Sequence, residues 1–158
     1  MNPIVVVYYS RTGVTRHVAE RLASILNADI EEIREAANRA GPLGYIKAGY
    51  DAVKHKEAVL VSQHTVEGRK TVVLGMPVWG ANPPPAIRTY LKMVNLAGAK
   101  VCGFATMGGS GAEKTLDRVA ELVPNGLALR LPLKRPKVRD AELEATLREW
   151  AGKINELA

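Results

Sequence analysis

The apolar residues of this chain form short runs that alternate with stretches of helical periodicity. Ile4 to Tyr9 is a continuous run of β-branched and aromatic residues, which predicts a strand buried on both faces of a sheet. In residues 14–27, Val18 and Leu22 fall on one face and charged residues on the other, which predicts an amphipathic helix. Further strands are predicted over residues 28–33, 71–77, 100–106 and 127–133.

The later helices are predicted from their first turns. Pro83 to Pro85 opens one helix, because proline is tolerated where an N–H has no helical partner. Ser110 and Glu113 have the spacing of a capping box for the next helix. Asp140 is predicted to cap a last helix, whose apolar stripe consists of Leu143, Leu147, Trp150, Ile154 and Leu157.

The segment between the second and third predicted strands gives mixed signals. Apolar residues at helical spacing predict a helix from about 43 to 55, although the segment also contains several glycines. We expect Tyr45 and Tyr50 to pack in the core, with a flap over a ligand as the alternative. Residues 58–61 could extend this helix or form a short strand.

Strand and helix alternate five times along the chain. Such alternation is typical of a parallel sheet with helices on both faces, and right-handed crossovers then favour a doubly wound α/β fold. The length of 158 residues fits one domain, which we predict to span residues 1–158. In open sheets of this kind ligands bind outside the carboxyl ends of the strands, so the loops at that edge are the candidate binding elements.

The loop after the first predicted strand suits a phosphate group. It places three hydroxyls and a glycine at a helix start, where free N–H groups and the helix dipole favour an anion, whereas a simple cap needs only one hydroxyl. P-loop and dinucleotide-binding motifs are absent. The one cysteine, Cys102, lies in a predicted interior strand, which disfavours a cysteine phosphatase. The loop consists of Ser10, Arg11, Thr12, Gly13, Val14 and Thr15.

Two further loops at the same edge suit a flat ring. In residues 77–82, Trp79 could stack on a ring or instead pack on a neighbouring helix, and Gly80 can turn its peptide without steric penalty. Residues 106–111 contain three glycines, which let the backbone approach a ligand edge or simply form a flexible turn. A phosphate at the first loop and an aromatic plane between the other two describe FMN.

At these loops the chain resembles the flavodoxin family, whose phosphate loop has the pattern S/T-x-T-G-x-T. The resemblance extends over essentially the whole chain. It implies a five-stranded parallel sheet in the order 2-1-3-4-5, one non-covalent FMN, and a phosphate held by residues 10–15. It also implies that one ring face is covered by Pro77, Val78, Trp79 and Gly80, and that the polar ring edge is reached by Thr106, Met107, Gly108 and Gly109.

Three departures from the family pattern bear on function. Many electron-carrying flavodoxins are strongly acidic, whereas this chain has a formal net charge of +6, so their usual docking partners are not implied. Residues 106–109 lack the second stacking tyrosine of many members, and an open ring face favours a reductase. The three loops contain no carboxylate, and Arg11 and Arg16 lie near the phosphate end, so we expect an anionic reduced flavin to be less penalised here.

We therefore expect an FMN-binding electron carrier that acts between redox partners. The alternative is a reductase that uses NAD(P)H to reduce quinones or similar small acceptors. A binding module that has lost its flavin is a third hypothesis, which the intact hydroxyl loop disfavours. The oligomeric state is not predicted.

Other classes of function are not expected. The basic residues are spread out, and their densest cluster, residues 134–139, is interpreted as a solvated connector, so nucleic-acid binding is disfavoured. No apolar run approaches the ~20 residues of a membrane span. Because the sequence starts without a signal-peptide pattern and contains one cysteine, we expect a cytoplasmic protein.

Overall fold

The computed structural model describes residues 1–36, 41–53, 58–61, 66–136 and 140–157. Within these residues five strands alternate with five helices, as the sequence pattern predicts. The strands are β1 (Ile4–Tyr8), β2 (Asp29–Glu32), β3 (Thr71–Pro77), β4 (Lys100–Met107) and β5 (Leu129–Lys134). The helices are α1 (Val14–Leu26), α2 (Gly41–Val53), α3 (Pro85–Met93), α4 (Ala112–Leu122) and α5 (Ala141–Glu156).

The strands form a parallel sheet in the order β2-β1-β3-β4-β5, which confirms the predicted fold class and strand order. The central register places Val6 opposite Val73 and Val73 opposite Cys102. From β1 the chain passes to β2 on one side of it, and from β2 it returns to β3 on the other side. The switch point therefore lies between β1 and β3. The carboxyl ends of β1, β3 and β4 therefore meet at one edge, where this fold class binds ligands.

A hydrophobic core covers each face of the sheet. Alternate strand residues point to opposite faces, so that Val7 and Leu74 pack with α3 and α4, whereas Val6 and Phe104 pack with α1 and α5. This two-sided burial is the reason that β1 is a continuous apolar run. None of the helices in the described part of the chain is long and apolar enough to span a membrane.

Two helix starts test the predicted caps. The Asp140 carboxylate accepts a hydrogen bond from the Glu142 N–H at 2.9 Å, which confirms the cap of α5. The predicted capping box of Ser110 and Glu113 is wrong, because the N-cap of α4 is Gly111. Gly111 has no side chain and adopts φ +98°. This left-handed conformation favours glycine, and a Cβ there would lie 3.1 Å from the Ala81 Cα.

Helix α2 departs from its prediction in both position and orientation. It begins two residues earlier than predicted, and its predicted end falls partly on residues 54–57, which lie outside the described residues. Its buried residues include Ala48, Asp51 and Ala52, whereas Tyr50 is 53% exposed. The core-packing prediction is therefore wrong for Tyr50, because it lies two positions from both Ala48 and Ala52 and hence about 200° around the helix from each. The side chain of Tyr45 lies outside the description.

Residues 58–61 are closer to the short-strand alternative than to a helix extension. Leu60 forms an isolated antiparallel bridge with Glu35. The Val61 N–H donates to the Arg34 carbonyl at 2.9 Å, and the Val59 carbonyl accepts from the Ala36 N–H at 2.9 Å. This segment therefore pairs with the chain that follows β2.

Candidate functional site

A cavity of about 480 Å³ opens at the carboxyl edge of the sheet, where the loops after β1, β3 and β4 meet. Its volume falls in the range of roughly 300–1,000 Å³ that is typical of small-ligand sites. Of the predicted site residues, Gly13, Gly80 and Gly109 do not line it. Those that do are Ser10, Arg11, Thr12, Val14, Thr15, Pro77, Val78, Trp79, Thr106, Met107 and Gly108.

The loop after β1 exposes the start of α1. Gly13 is the N-cap at φ +100°, and no side chain caps the helix. The Gly13 N–H instead donates to the Ser10 hydroxyl oxygen at 3.0 Å, which folds the loop on itself. The first helical N–H groups have no partner within the helix, and together with the helix dipole they favour an anion. Gly13 thus shapes the loop, although it does not line the cavity.

A buried pair of hydroxyls joins this loop to the end of β4. The Thr15 and Thr106 oxygens lie 2.9 Å apart, and the two residues are 2% and 6% exposed. In such a pair one hydroxyl donates to the other, and the accepting hydroxyl keeps its own hydrogen for another acceptor. Because both residues also line the cavity, the pair ties the loop after β1 to the end of β4 at the cavity wall.

Trp79 is more buried than the residue of a ring-stacking loop is expected to be. It is 4% exposed, and its ring packs edge-on against Tyr9 with centroids 5.5 Å apart and an interplanar angle of 82°. This geometry favours a packing role, against Tyr9 rather than the helix considered from sequence. The indole still lines part of the cavity, so ring contact stays a prediction.

The loop after β3 is a tight turn. Trp79 and Asn82 exchange backbone hydrogen bonds of 3.1 and 3.0 Å. Gly80 and Ala81 both have φ +57°, which is the sign pattern of a type I′ turn. For alanine this conformation costs about 1–2 kcal/mol, so the surroundings must hold the turn. The Asn82 amide does so by donating to the Gly80 carbonyl at 2.7 Å.

A fourth wall of the cavity was missed by the sequence prediction. Arg135 and Pro136, which follow β5, line it. The Arg135 N–H donates to the Met107 carbonyl at 2.8 Å, and its guanidinium Nε donates to the Gly108 carbonyl at 2.7 Å. Arg135 is exposed, as expected of a solvated connector, but the prediction did not include the contribution of these two residues to the cavity wall. Residues 137–139 lie outside the described residues. The signal that could have identified Arg135 and Pro136 is the position of β5 beside β4, which brings the residues after β5 next to the loop after β4.

The charges around the cavity are positive. Among the described lining residues, Arg11 and Arg135 are the charged ones and none is a carboxylate. Arg16 does not line the cavity, because its guanidinium pairs with Glu32 at 2.5 Å. Burial raises the pKa of Cys102 to about 11, so this thiol is not a nucleophile and behaves as a core residue.

Comparison with known families gives a match over nearly the whole chain. A sequence model of a family described as Flavodoxin matches residues 3–154. This range contains every strand and all of the loops that line the cavity. No curated protein matches the chain in sequence.

Solved structures match the fold. A protein from Bacteroides uniformis, provisionally named a flavoprotein, has a TM-score of 0.82 at 22% identity, with 94% of this chain and 97% of that one covered. A Lactobacillus acidophilus flavoprotein in complex with FMN has a TM-score of 0.68 at 19% identity, covering 84% and 93%. Oxidised Flavodoxin 2 from Bacillus cereus has a TM-score of 0.56 at 17% identity, covering 97% of each chain.

Proposed function

Because this chain belongs to the flavodoxin family, we propose that it binds one FMN in the cavity at the carboxyl edge and carries electrons between redox partners. The observation that supports this most directly is the meeting of the three predicted loops around one cavity of about 480 Å³. The similarity to the Lactobacillus acidophilus protein, which was solved with FMN, adds to it.

The residues after β1 fit a phosphate. The uncapped start of α1 supplies backbone N–H groups, and the Ser10, Thr12 and Thr15 hydroxyls lie along the same wall. Arg11 adds positive charge there, and no described lining residue is a carboxylate that would repel a dianion. Donors of this kind at a helix start are typical of phosphate sites.

The other walls fit a flat, largely apolar ring. Pro77, Val78 and Trp79 form one side, and Met107 with Gly108 forms another. Small-molecule sites are mostly apolar with a few placed polar groups, and here the Thr106 hydroxyl supplies such a group. The isoalloxazine of FMN has one apolar end and one polar edge, and these walls match both.

In this proposal the bound FMN supplies the redox chemistry by accepting and releasing electrons. The protein residues bind and orient it. The hydroxyl loop holds the phosphate, the turn at residues 77–82 shields the ring from water, and Arg135 holds the Gly108 carbonyl at the cavity wall. Exposed Gly108 and Gly109 leave one side of the site accessible to a partner.

The lining favours a carrier. In the described part of the wall there is no carboxylate, histidine, cysteine or lysine, which are the usual proton donors and acceptors of enzymes. A carrier needs none of these groups, because it has only to hold the ring at the surface. Acid–base chemistry on a bound organic substrate would generally need at least one of them.

A reductase is the second candidate, and one observation favours it. Residues 106–111 contain no aromatic side chain, and residues 108–110 are exposed. An uncovered ring face would admit a nicotinamide or a quinone, and hydride transfer requires no protein acid or base at the ring. We therefore retain an NAD(P)H-dependent reductase of quinones or similar acceptors as the alternative.

A fluorescence titration tests cofactor binding. Purified protein, stripped of ligand and titrated with FMN, is expected to quench flavin fluorescence with one site per chain. Thr15→Val is expected to weaken binding about tenfold, since it removes a hydroxyl from the proposed phosphate end. Lys92→Ala, an exposed change on α3, is the control that should leave affinity unchanged. No quenching by the unmodified protein would contradict the proposal.

Steady-state kinetics distinguish the two roles. The FMN-loaded protein is expected to oxidise NADPH with a quinone acceptor no faster than free FMN at the same concentration. Oxidation many times faster, and saturable in NADPH, would replace the carrier with the reductase. A protein reduced chemically should in either case pass electrons to an artificial one-electron acceptor.

A further inference from the structure

A chain of side-chain hydrogen bonds connects α4 to the turn after β3. The Arg118 guanidinium, half-buried on α4, donates to the Asn82 side-chain oxygen. The Asn82 amide nitrogen in turn donates to the Gly80 carbonyl at 2.7 Å. Arg118 does not line the cavity, yet two hydrogen bonds connect it to a peptide of the loop that does.

The turn is one that needs such support. Ala81 has φ +57°, a conformation that L residues rarely adopt and that survives where the surroundings enforce it. Asn82 is 4% exposed, so its amide is desolvated and requires partners on both the oxygen and the nitrogen. Arg118 supplies the first and Gly80 the second. The orientation of Asn82, and with it that of the Gly80 peptide, is thus fixed by Arg118.

A second arginine holds the far end of the same loop. Arg88, which is 8% exposed, donates to the Pro83 carbonyl at 2.8 Å and to the Ala52 carbonyl at 3.3 Å. Burial, and then the charge of Arg118, lowers the pKa of Arg88. Arg88 and Arg118 line a common cavity, and both donate hydrogen bonds to the loop between β3 and α3.

We propose that Arg118 is a positioning residue that commits the Gly80 carbonyl to Asn82 and thereby sets the reduction potential of the cofactor. This inference rests on the proposed FMN binding. Gly80 does not line the cavity, and its carbonyl is oriented toward the Asn82 amide. In this orientation it would not face a ring nitrogen that gains a proton on reduction. Loss of Arg118 leaves the Asn82 amide free to turn, which releases that carbonyl and makes reduction easier.

The test is a spectroelectrochemical titration of the FMN-loaded protein. Arg118→Leu is expected to make uptake of the first electron about tenfold more favourable, which is about 59 mV for a one-electron couple. Asn82→Ala is expected to give a similar shift. The double variant should shift no further than either single one, because both act through one chain of contacts.

A matched control separates positioning from general loss of charge. Arg130→Leu removes an arginine of β5 that pairs with Asp117 on α4, the helix that carries Arg118. Arg130 makes no described contact with the turn. It should change the equilibrium constant for uptake of the first electron by less than twofold relative to the unmodified protein. Thermal unfolding of each variant shows whether it is folded, and a variant that unfolds at room temperature is replaced by Arg118→Gln.

A readout without flavin completes the experiment. In ligand-free protein, Arg118→Leu is expected to speed hydrogen exchange at the Asn82 N–H, which bonds to the Trp79 carbonyl at 3.0 Å, at least tenfold. If the unmodified protein takes up no FMN, the proposed function fails and this inference fails with it. If FMN binds but the potential of Arg118→Leu is unchanged or lower, the inference alone is overturned.

Discussion

Two walls of the cavity, residues 77–82 and residues 107–111, are held in place in different ways. The first closes on itself through the Trp79–Asn82 hydrogen bonds and buries its one aromatic side chain against Tyr9. The second has exposed residues at its centre and is fixed from outside, by Arg135. The first wall is therefore organised before any ligand binds, whereas the shape of the second depends on the segment after β5.

The difference shows where function can vary within this fold. A wall that is part of the core cannot change without a cost in stability, because its side chains pack at near-crystalline density. The exposed centre of the second wall, residues 108–110, is held by Arg135 and can change with little such cost. We expect access to the ring, and hence the choice between carrier and reductase, to be decided by the second wall.

The largest effect is expected at the contact between β3 and β4, the strands from which the two walls extend. Gly75 on β3 lies opposite Phe104 on β4, and a Cβ there would be 2.2 Å from the Phe104 Cζ. The ring cannot move aside, since it is fully buried and packs edge-on against Trp150. Gly75→Ala is expected to lower the free energy of unfolding by about 3 kcal/mol, measured by urea denaturation.

The control for this change is Gly98→Ala, in which the added Cβ meets no atom within 4 Å. It should alter the free energy of unfolding by less than about 0.5 kcal/mol. Equal effects of the two substitutions would mean that the contact between β3 and β4 is looser than described.

The next effect tests the contact between the walls. Gly111 has φ +98°, and a Cβ there would lie 3.1 Å from both the Ala81 Cα and the Val78 Cγ1. Gly111→Ala is expected to lower the free energy of unfolding by about 2 kcal/mol, from backbone strain and displacement of the first wall. Chemical denaturation measures the loss, and FMN titration is expected to show weaker binding.

Gly126→Ala separates the two causes, because Gly126 also has a positive φ, +67°, but its Cβ would meet nothing within 4 Å. It should cost about 1 kcal/mol from strain alone. A loss in Gly111→Ala no greater than this would show that the walls are not in firm contact.

The sequence predicts the fold better than it predicts the site. Strand β1 was identifiable because burial on both faces requires a continuous apolar run, and residues 4–9 form such a run. The start of α4 was not, since Ser110 and Glu113 satisfy a local capping pattern. Gly111 takes the position instead because Ala81, distant in sequence, approaches it closely.

The same distinction applies within the site. The hydroxyl loop is a local motif whose chemistry is evident from its residues, and most of it lines the cavity. Arg135 has no such signature, since its role arises from the pairing of β4 with β5 and from two carbonyls that it contacts. The burial of Trp79 likewise depends on Tyr9, a residue at the end of another strand.

A smaller effect is expected where the second wall is tied to β5. Arg135→Leu removes the hydrogen bond to the Gly108 carbonyl and should weaken FMN binding about fivefold, equivalent to about 1 kcal/mol for an exposed contact. Unfolding should be nearly unaffected. Lys134→Ala, the exposed neighbouring change, controls for loss of charge at this edge. Equal affinity losses in both variants would assign the effect to charge rather than to the wall.

The smallest effect is expected at Gly109, and it tests the second wall against the family resemblance. Family likeness implies that Gly109 reaches the ring edge, yet it does not line the cavity, and a Cβ there would meet nothing within 4 Å. Gly109→Ala should therefore leave FMN affinity within twofold, and it should change unfolding by less than about 0.5 kcal/mol, because its φ suits alanine. If affinity instead falls tenfold, as titration of the stripped protein would show, residues 107–111 must close over the ligand on binding. The second wall would then be the adaptable side of the site, and the first wall its fixed reference.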